Sequence, residues 1–130
     1  MTDAEQVARG ILAELQNGFA EHDLAAVTTL LDDDAVVFGS AAEGLDGEQS
    51  RAYVAGMLAR EGTVRWSWDR VVPVLFEPTV LAFGVVGTVG FDDAQGHPLG
   101  VRQPFRLTCV ALLRDGRWRL KHFHGSVPQR

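Results

Sequence analysis

The sequence predicts an α+β domain: three N-terminal helices packed on a strongly curved antiparallel sheet that closes into a cone. Three observations carry this reading. Apolar residues recur at helical spacing before Gly62, whereas after it alternating runs rich in Val, Phe and Trp take over. Asp115-Gly116, between two such runs, is a strong two-residue hairpin signal. Gly84, Gly87 and Gly90 fall inside one strand run, where glycine marks bulges or sharp bending.

Taken in order, Val7, Ala8, Ile11, Leu12, Leu15 and Phe19 share one face of a first helix, from Ala4 to Ala20. Thr2 or Asp3 caps its start. Asp23 caps a short second helix carrying Leu24, Val27, Leu30 and Leu31, which Asp32 to Asp34 end as a solvated turn. Ala35 to Phe38 reads as a short strand, followed by a loop of Gly, Ala and Ser. Asp46 with Gln49 resembles a capping box opening a third helix, with Tyr53, Val54, Met57 and Leu58 inward and Gly62 as its stop. Val64 to Phe76 and Val80 to Phe91 are long strands separated by Glu77-Pro78-Thr79, and Asp92 to Gly100 is a polar loop. Pro104 belongs at a bulge or an edge. Alternation puts Arg70 on the face of Trp66 and Trp68, which demands a buried charge or a bulge.

The last hairpin fixes an expected register. If Arg114 pairs with Arg117, then Leu113 faces Trp118, Ala111 faces Leu120, Cys109 faces His122 and Leu107 faces His124. Those residues form the expected inner wall, with Trp66 and Trp68 beside them and Phe19, Phe38 and Tyr53 contributed from the helical side. Val110, Leu112 and Phe123 then lie outside among Arg and Lys, as the surface of a homodimer.

The 130 residues form a single domain, 1–130, without linker or repeat. A net charge of −5 with scattered basic residues argues against nucleic acid and against a basic membrane patch. No run is long enough to span a bilayer as a helix. One cysteine excludes an internal disulfide, and the acidic start MTDAEQ is no signal peptide, so a cytoplasmic setting is expected.

The blocks HDLAAVTTLLDDDAVVFG, WSWDRV and RLTCVALLRDGRWRLKHFHGSVP resemble the nuclear transport factor 2-like superfamily, in particular its bacterial SnoaL-like and ketosteroid-isomerase-like branch. The resemblance covers nearly the whole chain and implies the cone-shaped α+β fold and dimerisation through the sheet; no cofactor is expected. Its functional implication is broad, since the fold hosts isomerases, cyclases, dehydratases, hydrolases and non-catalytic binding or assembly modules. Ketosteroid isomerases carry a carboxylate base where this chain has Gly39, and an oxyanion-donating tyrosine near Leu15. That chemistry is therefore not expected here.

His122 and His124, at i and i+2, are the candidate catalytic residues, as general acid or base on a hydrophobic small molecule. The plain alternative is a structural hydrogen-bonding role. Cys109 beside His122 suggests a nucleophile or a zinc site, but a lone core cysteine behaves as a small hydrophobe and no acidic group supports a metal. No metal is expected. Trp66, Trp68, Phe19, Phe38, Tyr53, Cys109, Leu107 and Leu120 are the expected ligand contacts. Arg70 and Arg106 are candidates for meeting an anion.

Overall fold

The structure, a computed structural model, describes residues 2–39 and 43–128. Helix α1 spans Asp3–Ala20, and its first turn is held by the Thr2 hydroxyl, which accepts from the Glu5 amide. Asp23 accepts from the Ala26 amide to cap α2, Leu24–Leu30. Asp46 caps α3, Gly47–Leu58, through the Gln49 amide, while the Gln49 side chain returns a bond to the Leu45 amide. The expected stop at Gly62 is corrected: α3 ends at Leu58, and Gly62 instead lets the backbone approach Asp92. A Cβ there would lie 2.7 Å from the Asp92 carbonyl oxygen.

Six strands follow or interleave: β1 Leu31–Phe38, β2 Glu43–Gly44, β3 Thr63–Glu77, β4 Val80–Asp92, β5 Pro98–Arg114 and β6 Arg117–Ser126. Their order across the sheet is β2-β1-β6-β5-β4-β3. The sheet is mixed rather than antiparallel throughout, because β1 runs parallel to β6. Residues 40–42, in the Gly, Ala and Ser loop, lie outside the described residues. The loop before β5 is shorter than expected, since pairing already begins at Asp92 opposite Pro98. Pro104 pairs with Thr88 on the β4 side and lies beyond the last β6 partner of β5 at Arg106, a local edge that tolerates its missing N–H.

The Asp33-Asp34 region does not end α2 in a solvated turn. The helix gives way at Leu31 directly to β1, and the Asp32 carboxylate is buried, with 3% of its side chain exposed. Arg114 Nε donates to it, and Lys121 Nζ lies 3.8 Å away. Burial by itself raises the carboxyl pKa, but the Arg114 hydrogen bond, the Asp34 amide and the Arg114 and Lys121 charges outweigh it. Asp32 is thereby held below the ordinary carboxylate range. The cations of the last hairpin thus answer the aspartates of β1, with Arg119 also 3.7 Å from Asp33.

Leu12, Leu30, Leu81, Phe83, Leu107 and Leu120 are among the most completely buried side chains of a core formed between the helices and one face of the sheet. A bulge in β3 between Trp68 and Arg70 turns Arg70 to the other face, opposite Val86, so the charge is not buried. Gly87 faces Trp68 at that bulge, where a Cβ would fall 1.8 Å from the Ser67 carbonyl oxygen. The glycine is required by backbone contact.

A candidate ligand cavity

The hairpin turn sets the register from which the site is built. Asp115 and Gly116 both have positive φ, the two-residue turn whose twist suits adjoining strands. Arg114 pairs with Arg117, Leu113 with Trp118 and Ala111 with Leu120, as expected. The expected continuation is corrected. A bulge at Lys121 pairs Val110 with His122, Cys109 with Phe123, Thr108 with His124 and Leu107 with Gly125. One extra residue in β6 exchanges every later side chain between the two faces. Phe123 and Gly125 turn inward, and both histidines turn outward.

Between the helices and this inner face lies a cavity of about 450 Å³. Its wall takes Leu15 and Phe19 from α1, and Tyr53, Val54 and Met57 from α3. Val37, Trp66, Val89, Leu120 and Phe123 come from the strands. Phe91, Leu99 and Val101 also border it while remaining exposed, Val101 at 86%, and so form a rim. Gly125 leaves room for the Phe105 ring, which a Cβ would meet at 2.5 Å. Among the described residues no charged side chain and no histidine borders the cavity. Among the described lining residues Tyr53, Trp66 and Gln103 carry polar side-chain atoms, and Trp66 Nε1 is itself buried. Burial raises the Tyr53 hydroxyl pKa despite the nearby Arg60 charge, so the phenol stays protonated.

Trp66 is positioned by α1: the Gln16 side chain accepts from its amide at 2.8 Å and donates to the Val64 carbonyl at 3.2 Å. Its ring meets Phe19 edge-on at 5.3 Å and stacks on Trp68 at 5.3 Å. Trp68 packs behind it against the core and does not border the cavity, although the two share a face. Leu107 and Cys109 likewise are core beneath the wall rather than lining. The Cys109 thiol is 2% exposed, and burial pushes its pKa far up, so it has little thiolate to offer as a nucleophile.

The correction reaches Phe38 as well. It stands on the outer face with its ring 5.5 Å from that of His122 and 5.7 Å from that of His124, both edge-on. His122 Nδ1 lies 2.9 Å from the Val36 carbonyl; since a carbonyl only accepts, Nδ1 carries the proton. Cys109 and His122 point to opposite faces, and among the described residues no three His, Cys, Asp or Glu side chains gather as metal ligands. Arg70 and Arg106 flank Val86 on the outer face, outside the cavity lining.

A profile for a SnoaL-like domain matches residues 9–130. The chain belongs to the SnoaL-like family. Several solved structures share the fold of this SnoaL-like domain. One from Xanthomonas campestris, provisionally assigned as a calcium/calmodulin dependent protein kinase II association domain, is 20% identical with a TM-score of 0.82. The alignment covers 100% of this chain and 91% of that one. A nuclear transport factor 2-like superfamily protein from Salmonella enterica is 10% identical with a TM-score of 0.79, over 98% and 92% of the two chains. A nuclear transport factor 2-like protein of unknown function from Pseudomonas putida is 16% identical with a TM-score of 0.76, over 100% and 90%. At these identities the likeness is one of fold. No curated protein matches the sequence.

Phe123 and Gly125 are lining residues that strict alternation does not find, whereas Val101 and Gln103, on the parity of Leu107, line the cavity where the chain leaves the expected polar loop. A signal for the first two is present nonetheless. Apolar residues occupy even positions at Trp118 and Leu120, then odd ones at Phe123, Gly125 and Val127. The two consecutive polar residues Lys121-His122 stand where the parity changes.

Proposed function

We propose that this SnoaL-like domain binds a small, largely apolar molecule in the cavity and does not use His122 or His124 to act on it. The supporting observation is that the cavity wall is apolar while the Lys121 bulge sends both histidines to the opposite face. General acid–base work needs a titrating group within hydrogen-bond reach of the reacting atom. Among the described residues the wall holds none that titrates near neutral pH. At about 30 Å³ per water-sized unit, the volume suits a ligand of about fifteen non-hydrogen atoms.

Titration with a neutral bicyclic compound such as 2-acetylnaphthalene should give saturable fluorescence quenching that Trp66→Phe largely abolishes. The compound should be recovered unchanged, and His122→Ala and His124→Ala should bind it within about twofold of wild type. Chemical conversion lost in either histidine variant would reject this reading in favour of an enzyme.

The outer sheet face presents Val72, Leu75 and Val86, each 46–48% exposed, near Val110 and Leu112. We propose a homodimer through this face, with Phe123 removed from the expected interface because it faces the cavity. Sedimentation at micromolar concentration should show a species of twice 14.2 kDa, and Val86→Glu should shift it to the monomer. A wild-type monomer at that concentration would remove the claim.

A further inference from the structure

We propose that the cavity selects an uncharged ligand carrying one hydrogen-bond-accepting oxygen, with Tyr53 as the residue that reads that oxygen. The inference rests on the binding role proposed above and concerns which molecules the site takes. Its starting point is the polar inventory of the wall among the described residues: the Tyr53 phenol and the Gln103 amide in an otherwise apolar lining, with the Trp66 N–H closed off behind it. Trp66 Nε1 is buried and has no acceptor among the described residues. None of the side-chain hydrogen bonds between described residues engages the Tyr53 hydroxyl. A protonated phenol donates readily, so Tyr53 is the candidate donor to an accepting oxygen, with the Gln103 amide, which both donates and accepts, as the alternative.

Two costs then decide the ligand class. A ligand with no polar atom leaves the Tyr53 hydroxyl unpaired in the filled cavity, a loss worth about fivefold in affinity. A carboxylate or ammonium enters a wall with no counter-charge among the described residues and loses its hydration uncompensated, at a cost of at least about a hundredfold in affinity. A neutral carbonyl or hydroxyl avoids both costs. Burial supports this arrangement by keeping the phenol in its donating form through neutral pH.

Three compounds of nearly equal shape separate these terms: 2-acetylnaphthalene, 2-ethylnaphthalene and 2-naphthoate, titrated calorimetrically at pH 8. The ketone should bind about fivefold more tightly than the hydrocarbon, the worth of one modest hydrogen bond. The carboxylate should bind at least about a hundredfold more weakly than the ketone. Tyr53→Phe should bring the ketone down to the level of the hydrocarbon and leave the hydrocarbon itself unchanged. Equal affinity of ketone and hydrocarbon for the wild type overturns the proposal while leaving the cavity a binding site. So does a carboxylate that matches the ketone. Loss of the ketone's advantage in Gln103→Leu but not in Tyr53→Phe overturns the assignment to Tyr53. Failure of all three compounds to bind overturns the binding role itself, and the selectivity with it.

Discussion

Gly87→Ala should lower the stability of the domain by about 3 kcal/mol, on the order of 10 °C in Tm for a chain of this size. The added methyl would sit 1.8 Å from the Ser67 carbonyl oxygen and 2.9 Å from its carbon. Both atoms are backbone, so no rotamer change relieves the overlap. Relief requires β3 and β4 to part at the bulge that sends Arg70 outward. Gly10→Ala is the matched control. Gly10 lies within α1 with nothing within 4 Å of a new Cβ, so the same methyl should add about 0.5–1 kcal/mol through helix propensity. Urea unfolding of both variants measures the contrast. Equal effects at the two positions would mean that the Ser67 contact is not what demands glycine.

Arg114→Met should cost about 3 kcal/mol at pH 7, because it strips the nearest counter-charge from a buried carboxylate. Lys121, 3.8 Å away, remains and keeps the loss from being larger. The sign of the pH dependence separates this from lost packing. In the wild type the Asp32 pKa is held below its ordinary value. Its stabilising contribution is therefore present above about pH 4 and disappears as pH falls through the lower folded value. In the variant, burial dominates and favours the neutral acid, so protonation relieves the strain of an uncompensated charge. The stability gap between variant and wild type should shrink on going from pH 7 towards pH 4. A gap of constant size across that range would show that the methylenes of Arg114, and not its charge, hold the strand pair.

Much of this architecture is legible in the amino acids because local rules agree with the global packing. Thr2, Asp23 and Asp46 cap the helices that the apolar spacing outlines, and Asp115-Gly116 sets the hairpin register. What alternation misses are the positions where one residue is inserted. The dilemma at Arg70 announces its own bulge, since a charge on the tryptophan face is costly. At Lys121 no such conflict arises, because histidine and phenylalanine are acceptable on either face. The two histidines therefore look like pocket residues until the pairing itself is known. The short β2 and the parallel seam between β1 and β6 escape for a related reason. Each depends on partners distant in sequence, and Asp32 reads as a turn former unless its cations are known to be close.

That parallel seam also orders the making of the domain. Val36 and His122 are 86 residues apart, yet they are neighbours across it. As the chain emerges from the ribosome, β1 has only the two-residue β2 beside it until all of β3, β4 and β5 have been synthesised. The nascent chain must hold that edge, and the apolar wall behind it, without the strand that completes them. A contact of such long range pays its loop-closure entropy late and slows folding accordingly. Interaction with other chains is most hazardous during that interval, when Val37 and the inner face stand open.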